Sequence, residues 1–186
     1  MLQVTPVRAF DDNYIWMLST VGSDQAVAVD PGDETPVLDW LQVQGKRLAA
    51  ILITHHHYDH TGGVPELVEA NPGIPVYGPA KESIRGVDHP VAEGDTLSLD
   101  WAGETFQVLE VAGHTAGHVA YLGSGALFCG DTLFAAGCGR VFDGSFEQLA
   151  ASLQRIAGLP AETRIFCAHE YTPVSYTHLT LPTTRL

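Results

Sequence analysis

The strongest constraint on this chain is a run of polar, metal-binding residue types placed directly after an apolar segment. Leu48 to Ile53 is apolar and predicts a strand buried on both faces, after which the chain reads Thr54-His-His-His-Tyr-Asp-His-Thr-Gly-Gly63. A protein core does not tolerate imidazoles and a carboxylate without partners, so these groups need a positively charged ligand. The two glycines permit the close backbone approach that such a turn requires.

The spacing of the donors predicts two metal ions. His55 and His57 are two residues apart, so in an extended segment both rings leave the same side of the backbone. Asp59 and His60 are neighbours that point toward a second position as the chain turns. Two pairs of N and O donors indicate two adjacent ions. The alternative is an adventitious His-rich binder or a solvated loop.

Composition excludes several classes of function. The 186 residues have a formal net charge of -13, with nine Lys and Arg residues scattered along the chain, so we expect no nucleic-acid partner. The sequence shows neither an export signal nor a transmembrane run, which predicts a cytoplasmic protein without a membrane partner. Three cysteines without a C-x-x-C pair fit a reducing compartment. We expect a monomer.

Apolar periodicity predicts two groups of short strands with helices between them. Strands are expected at 2–7, 14–20, 25–30, 48–53, 75–77, 96–100, 104–111, 119–122, 126–129 and 164–167. The first three form an antiparallel meander. Such a pattern predicts two sheets packed face to face, with helices on the outside and ligands meeting along one edge.

Helix signals are present at three places, and a fourth stretch is weakly patterned. Thr35 is the expected N-cap of a helix that ends at Gly45, and a short helix is expected from Val64 to Ala70. Residues 80–93 are interpreted as a short helix and loop. Ser145 begins a capping box, and the helix that follows has an apolar face that ends before Gly158 and contains Phe146, Leu149, Leu153 and Ile156.

Later strands also end in candidate ligands. His114, Asp131 and His169 each follow a core strand, which makes chance a poor explanation of their joint placement. The simplest division assigns His55, His57 and His114 to one ion, Asp59, His60 and His169 to the other, and Asp131 to a bridge between them. Zinc is the expected metal at this thiolate-free site, and iron and manganese also suit it.

Two further residues are candidates for supporting these ligands. Asp30 ends the third predicted strand, where it is either a turn-former or a carboxylate that orients a ligand histidine. His118 is interpreted as a supporting or structural residue. Three other histidines are interpreted as solvated or packing residues: His56, His89 and His178.

The assembled residues resemble the metallo-β-lactamase superfamily, which the run from Thr54 to Gly63 marks by itself. Within it, five more motifs resemble the hydroxyacylglutathione hydrolases, also called glyoxalase II: Phe10-Asp-Asp-Asn-Tyr14, Val29-Asp-Pro-Gly-Asp33, Cys129-Gly-Asp-Thr-Leu-Phe134, Gly137-Cys-Gly-Arg140 and Cys167-Ala-His-Glu-Tyr171. The resemblance covers residues 1–172. It implies one hydrolase domain of the α/β (α+β) class, folded as a four-layer αβ/βα sandwich.

The resemblance also implies an activity. Members of this family hydrolyse S-(2-hydroxyacyl)glutathione, notably S-lactoylglutathione, to a 2-hydroxy acid such as lactate and glutathione. Arg140 and Tyr171 stand where the family contacts the glutathione part of the substrate, and Phe142 stands where some members have tyrosine. The substrate would therefore be a small glutathione thioester.

The ligand set predicts how such a thioester is cleaved. Two ions roughly 3.5 to 4 Å apart lower the pKa of a bridging water toward about 7, which makes a hydroxide nucleophile available. One ion polarises the carbonyl and stabilises the oxyanion. A thiol with a pKa near 8.5 leaves as thiolate without a general acid. Asp59 and Asp131 are expected to act in catalysis mainly as metal ligands, and proton shuttling by Asp59 is a further hypothesis.

Other functions fit parts of the sequence. A persulfide dioxygenase, with one iron held by two histidines and an aspartate, can also carry Gly-Cys-Gly-Arg, and lactonases and β-lactamases share the hydrolytic machinery. Family members continue after the position of Thr172 into a helical C-terminal domain, whereas residues 173–186 lack helical periodicity and Ser175 to Thr184 resembles translated adapter sequence. We expect 173–186 to be a non-native or disordered tail. A catalytically impaired metal-binding fragment is therefore also an alternative.

Overall fold

Two β-sheets stacked face to face form the centre of the protein. The computed structural model describes residues 1–173. The first sheet has the strand order β1 (Leu2–Ala9), β2 (Asn13–Thr20), β3 (Gln25–Val29), β4 (Arg47–Leu52), β5 (Val76–Pro79) and β6 (His89–Val91). The second sheet has the order β13 (Arg164–Cys167), β10 (Ala126–Gly130), β9 (Val119–Gly123), β8 (Glu104–Glu110) and β7 (Thr96–Leu99).

Helices cover the outer face of each sheet. The helices are α1 (Glu34–Gln44), α2 (Tyr58–Thr61), α3 (Val64–Ala70) and α4 (Phe146–Ala157), and β11 (Leu133–Phe134) pairs with β12 (Gly137–Cys138) as a small separate hairpin. One apolar cluster fills the space between the sheets, a second lies between the first sheet and α1 and α3, and a third lies between the second sheet and α4. The predicted four-layer sandwich is confirmed.

The burial of β4 on both faces explains its apolar sequence. Ala50 and Leu52 pack into the cluster between the sheets, whereas Leu48, Ile51 and Ile53 pack under α1 and α3. None of these five residues is more than 3% exposed. The strand is therefore held rigidly at the point where the metal-binding run begins.

Strand direction determines which loops meet. β3, β4, β5 and β6 are parallel to one another, and in the second sheet β8, β10 and β13 share one direction. Hydrogen bonds join the two sheets at the end of β4, where the Tyr121 hydroxyl donates to Ile53 O at 2.7 Å and Val119 N donates to Thr54 O at 3.0 Å. The loops after β4, β8, β10 and β13 consequently lie at a common edge.

Two local predictions are wrong, and one residue of a predicted apolar helix face is exposed. The N-cap of α1 is Asp33, whose side chain accepts a hydrogen bond from Thr35 N at 2.8 Å, so the predicted cap at Thr35 lies inside the first turn. Phe146 is 77% exposed, because α4 packs on the sheet only from Leu149 onward. Residues 80–93 contain turns and β6 in place of a short helix, and Gly86 has a φ of 95°, which an α-helix does not accommodate.

Other boundaries agree with the prediction. The helix ends at Gly45 and Gly158 and the capping box at Ser145 are confirmed. The prediction of a non-native or disordered tail covers residues 173–186, of which all but Pro173 lie outside the described part, and the prediction for His178 lies outside it as well. None of the helices in residues 1–173 combines the length and apolar character needed to cross a bilayer.

Candidate metal centre

All seven predicted ligands lie at the edge where the parallel strands end. His55 and His57 follow β4, Asp59 and His60 belong to the single turn of α2, and the remaining three follow β8, β10 and β13: His114, Asp131 and His169. The sequence predicted this placement, and the shared strand direction explains it. Whether all seven bind metal stays a prediction.

Three imidazoles form the first group, which we call the three-histidine cluster: His55, His57 and His114. His57 Nδ1 lies 3.1 Å from His55 Nε2 and 3.1 Å from His114 Nε2. Burial lowers the pKa of each of the three rings. Neutral rings have a free lone pair, which is the state that binds a metal ion.

One carboxylate and two imidazoles form the second group, the aspartate-histidine cluster: Asp59, His60 and His169. Asp59 Oδ2 lies 3.4 Å from His60 Nε2 and 3.3 Å from His169 Nε2. Burial opposes the charge on His169, but Asp131 and Asp59 outweigh it and raise the pKa of His169 to about 10. Burial likewise opposes charge on His60, but Asp131 and Asp30 raise its pKa well above the ordinary value.

Asp131 lies between the two clusters with one oxygen facing each. Its Oδ1 is 3.3 Å from His169 Nε2 and 3.5 Å from His60 Nε2, whereas Oδ2 is 3.4 Å from His114 Nε2. A carboxylate in this position can contact two ions at once. The geometry therefore fits the predicted bridging role.

The polar groups of this site fit a pair of cations. Within the described residues, the buried atoms His60 Nε2 and Asp131 Oδ1 form no hydrogen bond. Leaving a polar atom unpaired inside a protein costs about 1–3 kcal/mol. A divalent ion between these atoms would satisfy both. In each of two sets of three residues, one ligand atom per residue lies within 4.8 Å of the others: His55, His57 and His114, and Asp59, His60 and His169. The residues present can hold metal ions.

Neutral groups support the three-histidine cluster. The Thr54 hydroxyl lies 3.0 Å from His55 Nδ1, and His114 Nδ1 donates to Arg140 O at 2.7 Å. His118 stacks on His55 with a centroid distance of 4.6 Å, and its Nε2 accepts from Asp131 N at 3.2 Å. Burial lowers the pKa of His118 to about 3, so the ring stays neutral and can accept. This position fits the predicted supporting role.

Asp30 combines the two alternatives that the sequence left open. It has a φ of 53°, a left-handed conformation that Asp adopts more readily than most residues and that suits a turn. Its carboxylate also accepts from Thr54 N and from the Thr54 hydroxyl, both at 2.7 Å, and its Oδ2 lies 3.2 Å from His60 Nδ1. Asp30 therefore forms part of the turn and lies where it can orient His60.

Sequence reasoning missed two supporting residues, Asp12 and Asn13. His169 Nδ1 donates to Asp12 Oδ1 at 2.8 Å, and Asn13 Nδ2 donates to Asp59 Oδ2 at 2.9 Å. Both residues lie between the strands predicted at 2–7 and 14–20, and the sequence predicted no role for either of them individually. Their signal was the family-like motif from Phe10 to Tyr14, because Asp and Asn are common in turns and these residue types alone indicate no role at the site.

An open cleft of about 280 Å³ lies above the clusters. The predicted substrate-binding residues line it: Arg140, Phe142 and Tyr171. Phe142 is 59% exposed and its ring lies 4.9 Å from His57, with the Arg140 guanidinium carbon 5.2 Å above the ring. Tyr171 stacks on His169 at 4.8 Å, and burial raises its pKa to about 12, so its hydroxyl keeps its proton.

The wall of the cleft requires a glycine at one position. A Cβ atom added to Gly139 would lie 1.9 Å from Asp131 O. The segment that carries Arg140 therefore passes against the backbone of Asp131. Among the described residues that line the cleft, Arg140 is the only Lys or Arg. It supplies the local positive charge that an acidic chain otherwise lacks there.

Comparison with known proteins places the fold and the site in a family. Residues 10–169 match the model of the Metallo-beta-lactamase superfamily. The chain is 58% identical over 172 residues to the hydroxyacylglutathione hydrolase of Nitrosomonas eutropha, a match that covers 92% of this chain and 66% of that protein. The chain thus spans slightly less than two thirds of the length of this relative.

Solved structures agree with this assignment. A structure of TTHA1623 in a di-iron-bound form is 33% identical, with a TM-score of 0.74, over 89% of this chain and 92% of that one. The structure of the BLEG-1 B3 metallo-beta-lactamase is 27% identical, with a TM-score of 0.79, over 91% of this chain and 92% of that one. The chain belongs to the metallo-beta-lactamase superfamily and is a homologue of the hydroxyacylglutathione hydrolases.

Proposed function

We propose that the protein hydrolyses S-(2-hydroxyacyl)glutathione, with S-lactoylglutathione as substrate and lactate and glutathione as products. The observation that supports this best is the gathering of all seven predicted donors beneath one cleft, in a chain 58% identical to a hydroxyacylglutathione hydrolase. The donor set suits a hydrolase that uses two ions better than an iron enzyme that needs two histidines and one aspartate. We therefore favour thioester hydrolysis over persulfide oxidation.

The three-histidine and aspartate-histidine clusters would each hold one divalent ion, with Asp131 contacting both. Such ions, when bound, supply an activated water and a Lewis acid for the thioester carbonyl. We propose zinc, because imidazole and carboxylate donors suit it. Iron is the second candidate, supported by the 33% identical TTHA1623 in its di-iron-bound form.

The residues of the cleft would bind and orient the substrate. Arg140 can pair with a glutathione carboxylate through its planar guanidinium. Tyr171 can donate a hydrogen bond from its hydroxyl, and Phe142 offers an apolar surface beside the three-histidine cluster. The thiolate of glutathione is a good leaving group near neutral pH, so the chain need not supply a general acid.

The hydrolase domain would comprise residues 1–172. We also propose that the protein is a cytoplasmic monomer that acts on a small molecule. Full-length relatives are longer than this chain, so part of their substrate contacts would lie outside it. We therefore expect the chain to hydrolyse the thioester with a KM higher than that of the full-length relatives.

The experiment is steady-state hydrolysis of S-lactoylglutathione by the chain loaded with zinc, with metal content measured on the same sample. Turnover that disappears after chelation and returns with zinc supports the proposal. A folded sample that holds two ions and releases no glutathione contradicts it. Oxygen consumption with glutathione persulfide by the iron-loaded chain would favour a persulfide dioxygenase.

A further inference from the structure

A buried carboxylate outside the seven donors contacts both loops that supply the three-histidine cluster. Glu82 lies in the turn after β5, and its side chain is only 4% exposed. Its Oε2 accepts from His56 Nδ1 at 2.9 Å. Its Oε1 accepts from Gly117 N at 3.2 Å and from the Thr115 hydroxyl. One oxygen therefore contacts the loop after β4, and the other contacts the loop after β8.

This arrangement matters because the three-histidine cluster is assembled from both sheets. His56 lies between His55 and His57 in the first sheet's loop, whereas Thr115 directly follows His114 in the second sheet's loop. A metal site requires its three nitrogen atoms at fixed mutual distances. Any shift of one loop against the other would change those distances, and Glu82 opposes such a shift.

The packing around Glu82 indicates that the contact is specific. A Cβ atom added to Gly117 would lie 2.5 Å from Glu82 Cγ, so only glycine permits this approach. Thr115 is fully buried. Within the described residues, the hydrogen bonds of the Glu82 carboxylate go to His56, Thr115 and Gly117, and none goes to the aspartate-histidine cluster.

We propose that Glu82 is a positioning residue that sets the metal affinity of the three-histidine cluster by joining its two loops. The inference rests on the two-ion centre of the proposed function, although it needs no particular substrate. It also changes the interpretation of His56, which was expected to be solvated or packing. His56 transmits the contact of Glu82 to the two ligands on either side of it.

The test measures the affinity of each cluster for cobalt or zinc by competition with a chelator, and cobalt absorption reports the geometry of the site. In Glu82→Ala we expect the affinity of the three-histidine cluster to fall about 10- to 100-fold, which is the usual effect of removing a group that orients a ligand. The affinity of the aspartate-histidine cluster should stay unchanged. Glu82→Gln should restore most of the loss, because its amide oxygen can still accept from Thr115 and Gly117.

Asp88→Ala is the matched control. Asp88 lies in the same connection between β5 and β6, and its Oδ1 likewise accepts from a histidine, His89 Nδ1 at 2.7 Å, and from a backbone group, Val76 N at 2.8 Å. Within residues 1–173, no hydrogen bond or ion pair of its side chain goes to either ligand loop. We expect this variant to bind both ions as the unchanged protein does.

Two outcomes would overturn the inference. One is unchanged affinity of both clusters in Glu82→Ala, and the other is an equal loss in both clusters, which would mean general destabilisation. If Glu82→Ala does not fold, His56→Phe and Thr115→Val each remove one contact and should weaken the same cluster selectively. Since no substrate is used, a chain that binds two ions but fails to cleave the thioester would contradict the proposed function alone.

Discussion

The two metal-binding clusters lie side by side and share Asp131, yet their histidines have opposite pKa shifts. In the three-histidine cluster, burial lowers the pKa of all three rings. In the aspartate-histidine cluster, burial acts in the same direction, but neighbouring carboxylates reverse it and raise the pKa of His60 and His169. The number of nearby carboxylates decides the sign, because desolvation penalises charge in both places.

This difference indicates that the two clusters would bind a cation in different ways. The three-histidine cluster offers neutral nitrogen atoms that are held by a hydroxyl, a backbone carbonyl and a stacked ring. In the aspartate-histidine cluster the raised pKa values favour the protonated rings, so metal binding there would have to displace protons. The first should bind with little dependence on pH, and the second with a strong dependence.

The largest effect is expected from removing the residue that the clusters share. Asp131→Asn takes away the charge that faces both clusters, so we expect metal content to fall from two ions toward one. The rate of hydrolysis should fall roughly 100-fold or more, because a bound ion contributes several kcal/mol to catalysis. Metal analysis measures the first quantity and steady-state kinetics the second. Asp88→Asn is the control, and full metal content with full activity in Asp131→Asn would contradict the bridging role.

The second prediction concerns pH. A histidine with a raised pKa stays protonated at any pH below that pKa, so metal binding has to displace its proton. For each proton displaced, the metal affinity of the aspartate-histidine cluster should fall about tenfold per pH unit as the pH falls from about 9 to 7. The metal affinity of the three-histidine cluster should change little, because its rings are already neutral over this pH range. Chelator competition at several pH values separates the two. Equal slopes would contradict the contrast between the clusters.

The third prediction tests the missed supporting residues. Asp12→Ala removes the acceptor of His169 Nδ1 and should weaken metal binding at the aspartate-histidine cluster roughly tenfold, because the ring loses its orientation. The three-histidine cluster should be unaffected. Asp11→Ala, in the same turn, is the control for both affinity measurements. An equal loss of metal affinity at the three-histidine cluster would contradict this prediction, because the turn would then affect both clusters.

The smallest effect is expected from the aromatic residue that stands beside each cluster. Phe142 lies against His57, whereas Tyr171 stacks on His169 and carries a hydroxyl. Phe142→Tyr should lower KM about two- to tenfold, which corresponds to one hydrogen bond, without changing kcat. Tyr171→Phe should raise KM by a similar factor. A change confined to kcat would place these residues at the reacting atoms and contradict a binding role.

Residues that follow core strands were the best predicted part of the site. His55, His114, Asp131 and His169 could be located because each comes after an apolar strand, and strand ends meet at sheet edges. Residues that support them could not be located in this way. Asp12 and Glu82 lie in connections without periodicity, and their partners are 157 and 26 or more residues away in sequence.

Errors in the fold have the same origin. Phe146 lies on the apolar stripe of α4, but periodicity does not reveal where a helix first meets the sheet. Asp33 and Thr35 are both good N-cap residues, and the geometry of the turn decided between them. Local propensity leaves such choices open because the free-energy differences are small.

The sequence by itself determined the layers of the sandwich, the residue types at its functional edge and their division into two groups, because alternation of apolar residues and donor spacing are local properties. Only the tertiary structure decided which carboxylates face which imidazoles, and therefore in which direction the pKa of each histidine is shifted. It also brought Glu82 between two loops from different sheets. These features depend on distances between residues far apart in the chain, and electrostatic energy depends on those distances.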